Sequence, residues 1–190
     1  MAVIAQIEQP DTDDLKDMYE RLSQAGLGTG VLNIFKVMAH NPKLLRDWVR
    51  MATPLLTGGL LLSPRLRELV ILRVGQLSGS EYEFGQHIRI AKAAGVPYED
   101  MAALKDYDES DRFSDLERAV IAYTDACARL DADAADRARG LKRWLSDREL
   151  LELSFCVGHW AMLARVLVPL EVELDEVLAA ELPEGWREWL

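Results

Sequence analysis

Apolar residues along this chain recur at helical intervals and almost nowhere with the alternation of a strand. Leu15, Met18, Tyr19 and Leu22 form one apolar stripe, which GLGTG at Gly26 to Gly30 breaks. Asn33 to Ala39 reads as a short helix stopped by His40-Asn41-Pro42, and Pro42 at a helical first turn opens a segment to about Leu56 that Thr57-Gly58-Gly59 closes. Ser63-Pro64, a cap followed by a first-turn proline, predicts a helix reaching to about Leu77. Ser78-Gly79-Ser80 then breaks the chain, and Ser80 with Glu83 reads as a capping box for a helix ending near Gly95. Pro97 opens a short helix to about Lys105. Ser114 with Glu117 is a second capping box, leading a helix to about Leu130, and an acidic, alanine-rich segment follows from Asp133 to Trp144. Ser146-Asp147 caps the longest helix, which runs to about Val168 before Pro169.

The pattern is that of an all-α, single-domain helical bundle. It divides into an N-terminal helical arm (1–30), a helical body (31–180) and an aromatic tail (181–190). PEGWREWL at the end carries two of the five tryptophans, and aromatics so concentrated predict docking on the body or on a neighbouring subunit. Leu62-Ser63-Pro64-Arg65 with Val74-Gly75 parallels Leu145-Ser146-Asp147-Arg148 with Val157-Gly158, a hint of duplication that a shared way of starting helices also produces.

Composition narrows the function. At 190 residues and 49% hydrophobic, the chain can bury a sizeable core as one domain. Its formal charge of −10, from 32 acidic against 22 unclustered basic residues, argues against nucleic acid as a partner. Cys127 and Cys156 stand far apart without CxxC or CxxH spacing, so neither a structural zinc site nor a disulfide framework is expected. A reducing cytoplasm fits. The start MAVIAQIEQPDTDD has no basic region before its apolar run, unlike a secretory signal. The uncharged stretches TPLLTGGLLLS and LSFCVGHWAMLA fall short of the roughly 20 apolar residues that span a bilayer, so no membrane association is expected.

Candidate chemistry lies in the middle of the chain. On a helical wheel, residues 66–77 are apolar on nearly every side, as for a helix inside a bundle. Glu68 breaks that rule by projecting between Ile71 and Leu72, one heptad before Gly75. A carboxylate there must pair, for example with Arg65 or Arg73, or keep a proton. The next helix begins with GSEYEFGQH, Gly79 to His87, in a chain of three histidines. Glu83 and His87 are four residues apart and share a face with Ser80, so a carboxylate can tune the imidazole for proton transfer. The same residues also suit simple capping by Ser80 and Glu83 with a structural His87. Glu83 and His87 have the spacing of two metal ligands but no clear third, so no metal is assigned. His40 sits in a helix stop, and His159 beside Trp160 suits a core or partner-facing position. No GxSxG occurs, and neither cysteine is placed as an activated thiol.

The stretch LSPRLRELVILRVGQLSGSEYEFGQHIRIAKAAGVP resembles the central signature of the carboxymuconolactone decarboxylase family, which includes the alkylhydroperoxidase D-like proteins. NIFKVMAHNPKLLRDW before it and LSDRELLELSFCVGHWAMLARVLVPLEVELD after it resemble the flanking helices of longer members, from about residue 31 to 176. The resemblance implies the alkylhydroperoxidase D-like helical fold and a homo-oligomer, a trimer or hexamer with a dimer as the lesser option. In the peroxidase branch a glutamate is followed by Cys-x-x-Cys-x-x-x-His. Glu68 and His87 match that glutamate and histidine, while Ser80 and Glu83 stand where the two cysteines would be. A serine and a carboxylate cannot cycle as a dithiol. What remains resembles the decarboxylase branch: a lyase or isomerase, without cofactor, acting on a small carboxylated or lactone ring compound. His87 would then move the proton, Glu68 or Glu83 would set its protonation, and Tyr82 and Ser80 would contact substrate. An alkylhydroperoxidase-like oxidoreductase and a non-catalytic helical oligomer are the alternatives.

Overall fold

The computed structural model describes residues 2–25 and 30–190. Among the described residues ten α-helices follow one another: α1 (Asp13–Ala25), α2 (Asn33–Met38), α3 (Pro42–Leu56), α4 (Pro64–Ser78), α5 (Glu81–Ala93), α6 (Tyr98–Ala103), α7 (Asp115–Arg129), α8 (Ala134–Leu141), α9 (Asp147–Leu167) and α10 (Glu176–Ala179). Two 3-10 turns, Leu104–Asp106 and Trp186–Trp189, complete the regular structure, and there is no strand among the described residues. The all-α expectation is met, and the acidic segment after Asp133 is helical as α8. Of the predicted break at Gly26 to Gly30, residues 26–29 lie outside the described residues.

By contact the chain forms two compact units, residues 1–59 with 169–181 and residues 60–168 with 182–190. In the first, the α1 stripe does what its spacing predicts. Leu15, Tyr19 and Leu22 are buried with Ala39 and Leu45, and Phe35, Met38 and Trp48 pack around them. Asn41 caps α3 by accepting from Leu44 N–H at 3.1 Å, just ahead of Pro42. His40 is structural, with its Nε2 2.8 Å from the Ala5 carbonyl.

The second unit is built around α4, whose residues from Leu66 to Gly75 are all buried, and which packs against α5, α7 and α9. Ser63, Ser114 and Ser146 each accept from the backbone N–H three residues on, and Glu117 and Glu149 return the bond to complete capping boxes. Gly75 lets α5 approach α4: a Cβ there would lie 3.2 Å from Phe84 Cβ and 3.3 Å from Phe84 N. The tail docks on its own unit. Trp186 stacks on Phe84 at 6.3 Å, Trp189 tilts against Tyr98 at 5.8 Å, and Gln76 donates to the Trp189 carbonyl at 2.6 Å.

Helix α9, at 21 residues, is long and apolar enough to cross a membrane by composition, yet 56% of its most apolar stretch is buried inside the structure. It carries Glu152 and His159 in buried positions, which is how a core helix of a bundle is composed.

Candidate active site

The Ser80–Glu83 capping box expected from sequence is only half formed, and the reason creates the site. Gly79 ends α4 in the left-handed conformation, with φ of 62°, so the Ser80 N–H turns back to the Gly75 carbonyl at 3.0 Å. Ser80 Oγ still accepts from Glu83 N–H at 3.3 Å, but its own N–H is already used and has nothing to offer the Glu83 carboxylate. That carboxylate is therefore buried, and its Oε1 has no hydrogen-bond partner. Burial pushes its pKa up to about 7, and the neighbouring His87 offsets this only in part.

His87 lies one turn further along α5. Its Nδ1 is 2.7 Å from Glu68 Oε2 of α4, and the two residues are 5% and 0% exposed. The interior acid and the imidazole thus meet in a dry setting. Glu68 also accepts from Arg67 Nε at 2.7 Å. The expected partners were Arg65 and Arg73, but Arg65 binds Asp100 and Glu117, and Arg73 binds Asp125. Burial alone would raise the Glu68 pKa, yet His87 and Arg67 together outweigh it and hold the carboxyl below its ordinary value. Glu68 is a carboxylate.

Trp160 of α9 is a site residue that sequence reasoning passed over. Its indole N–H donates to His87 Nε2 at 3.1 Å, with the rings edge to face at 5.5 Å. The signal available in sequence, a tryptophan following His159, gives no hint of a partner 73 positions away. His159 touches the same indole at 4.8 Å, and its pKa is lowered to about 4, chiefly by burial and then by His87. The remaining two predicted residues have local bonds. Ser80 caps α5, and buried Tyr82 accepts from Gln86 Nε2 at 3.3 Å.

The Cys156 thiol, fully buried on α9, is pushed up to about 12 by burial, with Glu68 and Glu152 adding to the rise and Arg67 opposing it. It stays protonated at ordinary pH. Among the described residues no group of three or more His, Cys, Asp or Glu side chains is arranged to hold a metal ion. A groove of about 500 Å³ between α7 and α9, lined by residues including Cys127, Gly158, Met162 and Arg165, contains none of the cluster residues.

Known proteins share this architecture. A peroxidase-related protein of uncharacterised function from Silicibacter sp. TM1040 superposes with a TM-score of 0.80 over 93% of both chains at 19% identity. The alkylhydroperoxidase AhpD core protein from Ralstonia eutropha JMP134, also peroxidase-related, gives 0.73 over 94% of this chain and 93% of its own, at 17% identity. The debrominase Bmp8 gives 0.77 over 97% and 96%, at 18% identity. A Cys-to-Ala variant of Bmp8 is known in complex with 2,3,4-tribromopyrrole. No curated protein sequence matches the chain. The carboxymuconolactone decarboxylase family model matches residues 42–126, a span that holds Glu68, Glu83 and His87. Through that segment the chain is similar to the carboxymuconolactone decarboxylase family, and over nearly its whole length it has the helical fold of AhpD-like proteins.

Proposed function

We propose that the protein is a cofactor-independent lyase or isomerase that moves a proton on a small carboxylated or lactone-like ring compound, with His87 as the transfer group. The observation that carries this reading is the buried 2.7 Å contact between Glu68 and His87 Nδ1. A carboxylate on one ring nitrogen orients the imidazole and stabilises it when it takes up charge, so that the lone pair on the other nitrogen, where Trp160 now donates, is the basic one. Loss of CO2 from a carboxylated unsaturated lactone leaves a dienolate that needs a proton. Isomerisation of such a ring passes through a similar anion, so both reactions call on these groups. The family supports an enzyme in general terms, and the brominated pyrrole held by Bmp8 supports a small ring as substrate.

A thiol peroxidase fits the side chains poorly. Its dithiol cycle needs two sulfurs, where this chain has Ser80 and Glu83, and Cys156 is buried and protonated. A non-catalytic homo-oligomer has one specific observation in its favour. Leu151, Phe155, Met162 and Val166 of α9 are exposed apolar residues at helical spacing, and a second copy of the chain is the partner they suit.

Screening small carboxylated lactones and ring keto acids by absorbance should reveal a turned-over substrate. His87→Gln should then lower turnover by on the order of 10²- to 10⁴-fold, with circular dichroism and the melting midpoint little changed. Undiminished turnover in that folded variant would sink the reading, and finding no compound that is turned over would favour the oligomer.

A further inference from the structure

The two ring nitrogens of His87 are held from opposite sides by groups of fixed hydrogen-bonding character. We propose that Trp160 is a positioning residue that keeps hydrogen off His87 Nε2, so that His87 takes the proton in the reaction and Glu83 gives it. This assignment rests on the proton-transfer reading above and gives it a direction.

A tryptophan N–H can only donate, so the 3.1 Å contact from Trp160 Nε1 requires a lone pair on His87 Nε2. The other end of the ring says the same. Glu68 accepts from Arg67 through Oε1 and lies 2.7 Å from His87 Nδ1 through Oε2. As a carboxylate between two donors, it requires a hydrogen on Nδ1. Two independent contacts therefore select one tautomer, neutral, with hydrogen on Nδ1 and the basic lone pair on Nε2. Trp160 is 2% exposed, and its edge-to-face packing on His87 keeps the donor in place.

A ring in that state has no proton to deliver from Nε2. The group that has one is Glu83, one helical turn before His87 on the same face of α5 and 3% exposed. Its Oε1 lacks any hydrogen-bond partner, and burial keeps the acid protonated well above the usual carboxylate range. In an isomerisation, substrate displaces the indole from Nε2. The C–H proton passes to Nε2 while its electron pair enters the ring π-system as an enolate. The Glu83 O–H proton then goes to the remote carbon, and its bonding pair stays on the carboxylate. Transfer of the proton from imidazolium to Glu83 restores both groups. In a decarboxylation, the C–C pair becomes the dienolate as CO2 leaves, Glu83 gives its proton to carbon, and His87 Nε2 takes one proton from solvent and passes it to Glu83. Neither sequence requires an oxidant or reductant.

The test reads the ring directly and needs no substrate. Protein labelled with 15N at histidine is observed by long-range 1H–15N correlation, using His87→Gln to assign the signals. The expected result is a protonated Nδ1 and an unprotonated Nε2 in the native protein. Trp160→Phe, which keeps an aromatic ring and loses the donor, should keep hydrogen on Nδ1 through Glu68 and let Nε2 take up hydrogen as well, giving a doubly protonated ring. It should also lower kcat by roughly 10–100-fold with a smaller change in KM. Glu83→Gln should keep the native tautomer and lose turnover. Hydrogen on Nε2 in the native protein would overturn the proposal even if Trp160→Phe did not fold, as would an unchanged spectrum in that variant. Full turnover in Glu83→Gln would overturn the donor half. Failure of the proton-transfer reading shows separately, as activity surviving in His87→Gln.

Discussion

Glu68 carries charge where the surrounding side chains are apolar, and its two oxygens are each spoken for. Oε1 takes Arg67 and Oε2 takes His87. Removing such a carboxylate takes a buried ion-pair partner from Arg67 and the Nδ1 partner from His87, which is among the costlier single changes available. Glu68→Ala should therefore lose about 3–5 kcal/mol, measured as a lowered urea midpoint, and Glu68→Gln should lose less because it can still accept. A loss below about 1 kcal/mol for the alanine variant would mean that the buried Glu68 contacts contribute little to stability. The acid was legible in the sequence because it broke an apolar wheel. Its arginine was misjudged because adjacent residues on a helix do not face each other, whereas a side chain as long as arginine bends back through its Nε. The Glu83 carboxylate was read as a cap because Ser-x-x-Glu is a capping pattern. What the pattern omits is that Gly79 had already committed the Ser80 N–H to Gly75.

At the scale of helices, sequence reading succeeded where a signal is local. Serine caps, first-turn prolines and stopping glycines depend on backbone groups within a few residues, so the starts at Pro64, Asp115 and Asp147 followed. Packing between helices is not local, and the parallel stretches ending in Gly75 and Gly158 show the difference. Both glycines lie inside helices at matching distances from their capping serines. Gly75 is pressed against the Phe84 backbone, and Phe84 is itself held by Trp186, while Gly158 has open space where a Cβ would be. The same substitution should thus have opposite signs. Gly75→Ala gains helix propensity but forces α4 and α5 apart, and should cost about 1–2 kcal/mol net. Gly158→Ala should gain up to about 1 kcal/mol. Thermal melts of the two variants side by side provide the check, and equal shifts would contradict the close approach of α5 to α4.

For the molecule as a whole, the buried titratable groups of the second unit make opposing demands as pH changes. Glu83 is raised from 4.5 to about 7, so the folded protein holds a proton that the unfolded chain has released. Its contribution is fully present below pH 4.5 and is lost as pH rises through 7. At 1.4 kcal/mol per unit, the full swing is about 3 kcal/mol. His159 runs the other way. Its folded pKa of about 4 lies below the ordinary 6.5, so the unfolded chain binds the extra proton and stability falls as pH drops from 6.5 towards 4. Between pH 5 and 6.5 the two slopes oppose each other, and the native urea midpoint should be nearly level. The carboxylates held below their ordinary pKa, Glu68, Glu117 and Glu152 among them, lose their contribution only at lower pH. Glu83→Gln removes one side of the balance. That variant should be more stable than the native protein at pH 8, and its midpoint should decline steadily on acidification from pH 6.5 to 5. A Glu83→Gln profile parallel to the native one would show that the glutamate ionises normally, and that the buried acid next to His87 carries no proton at neutral pH.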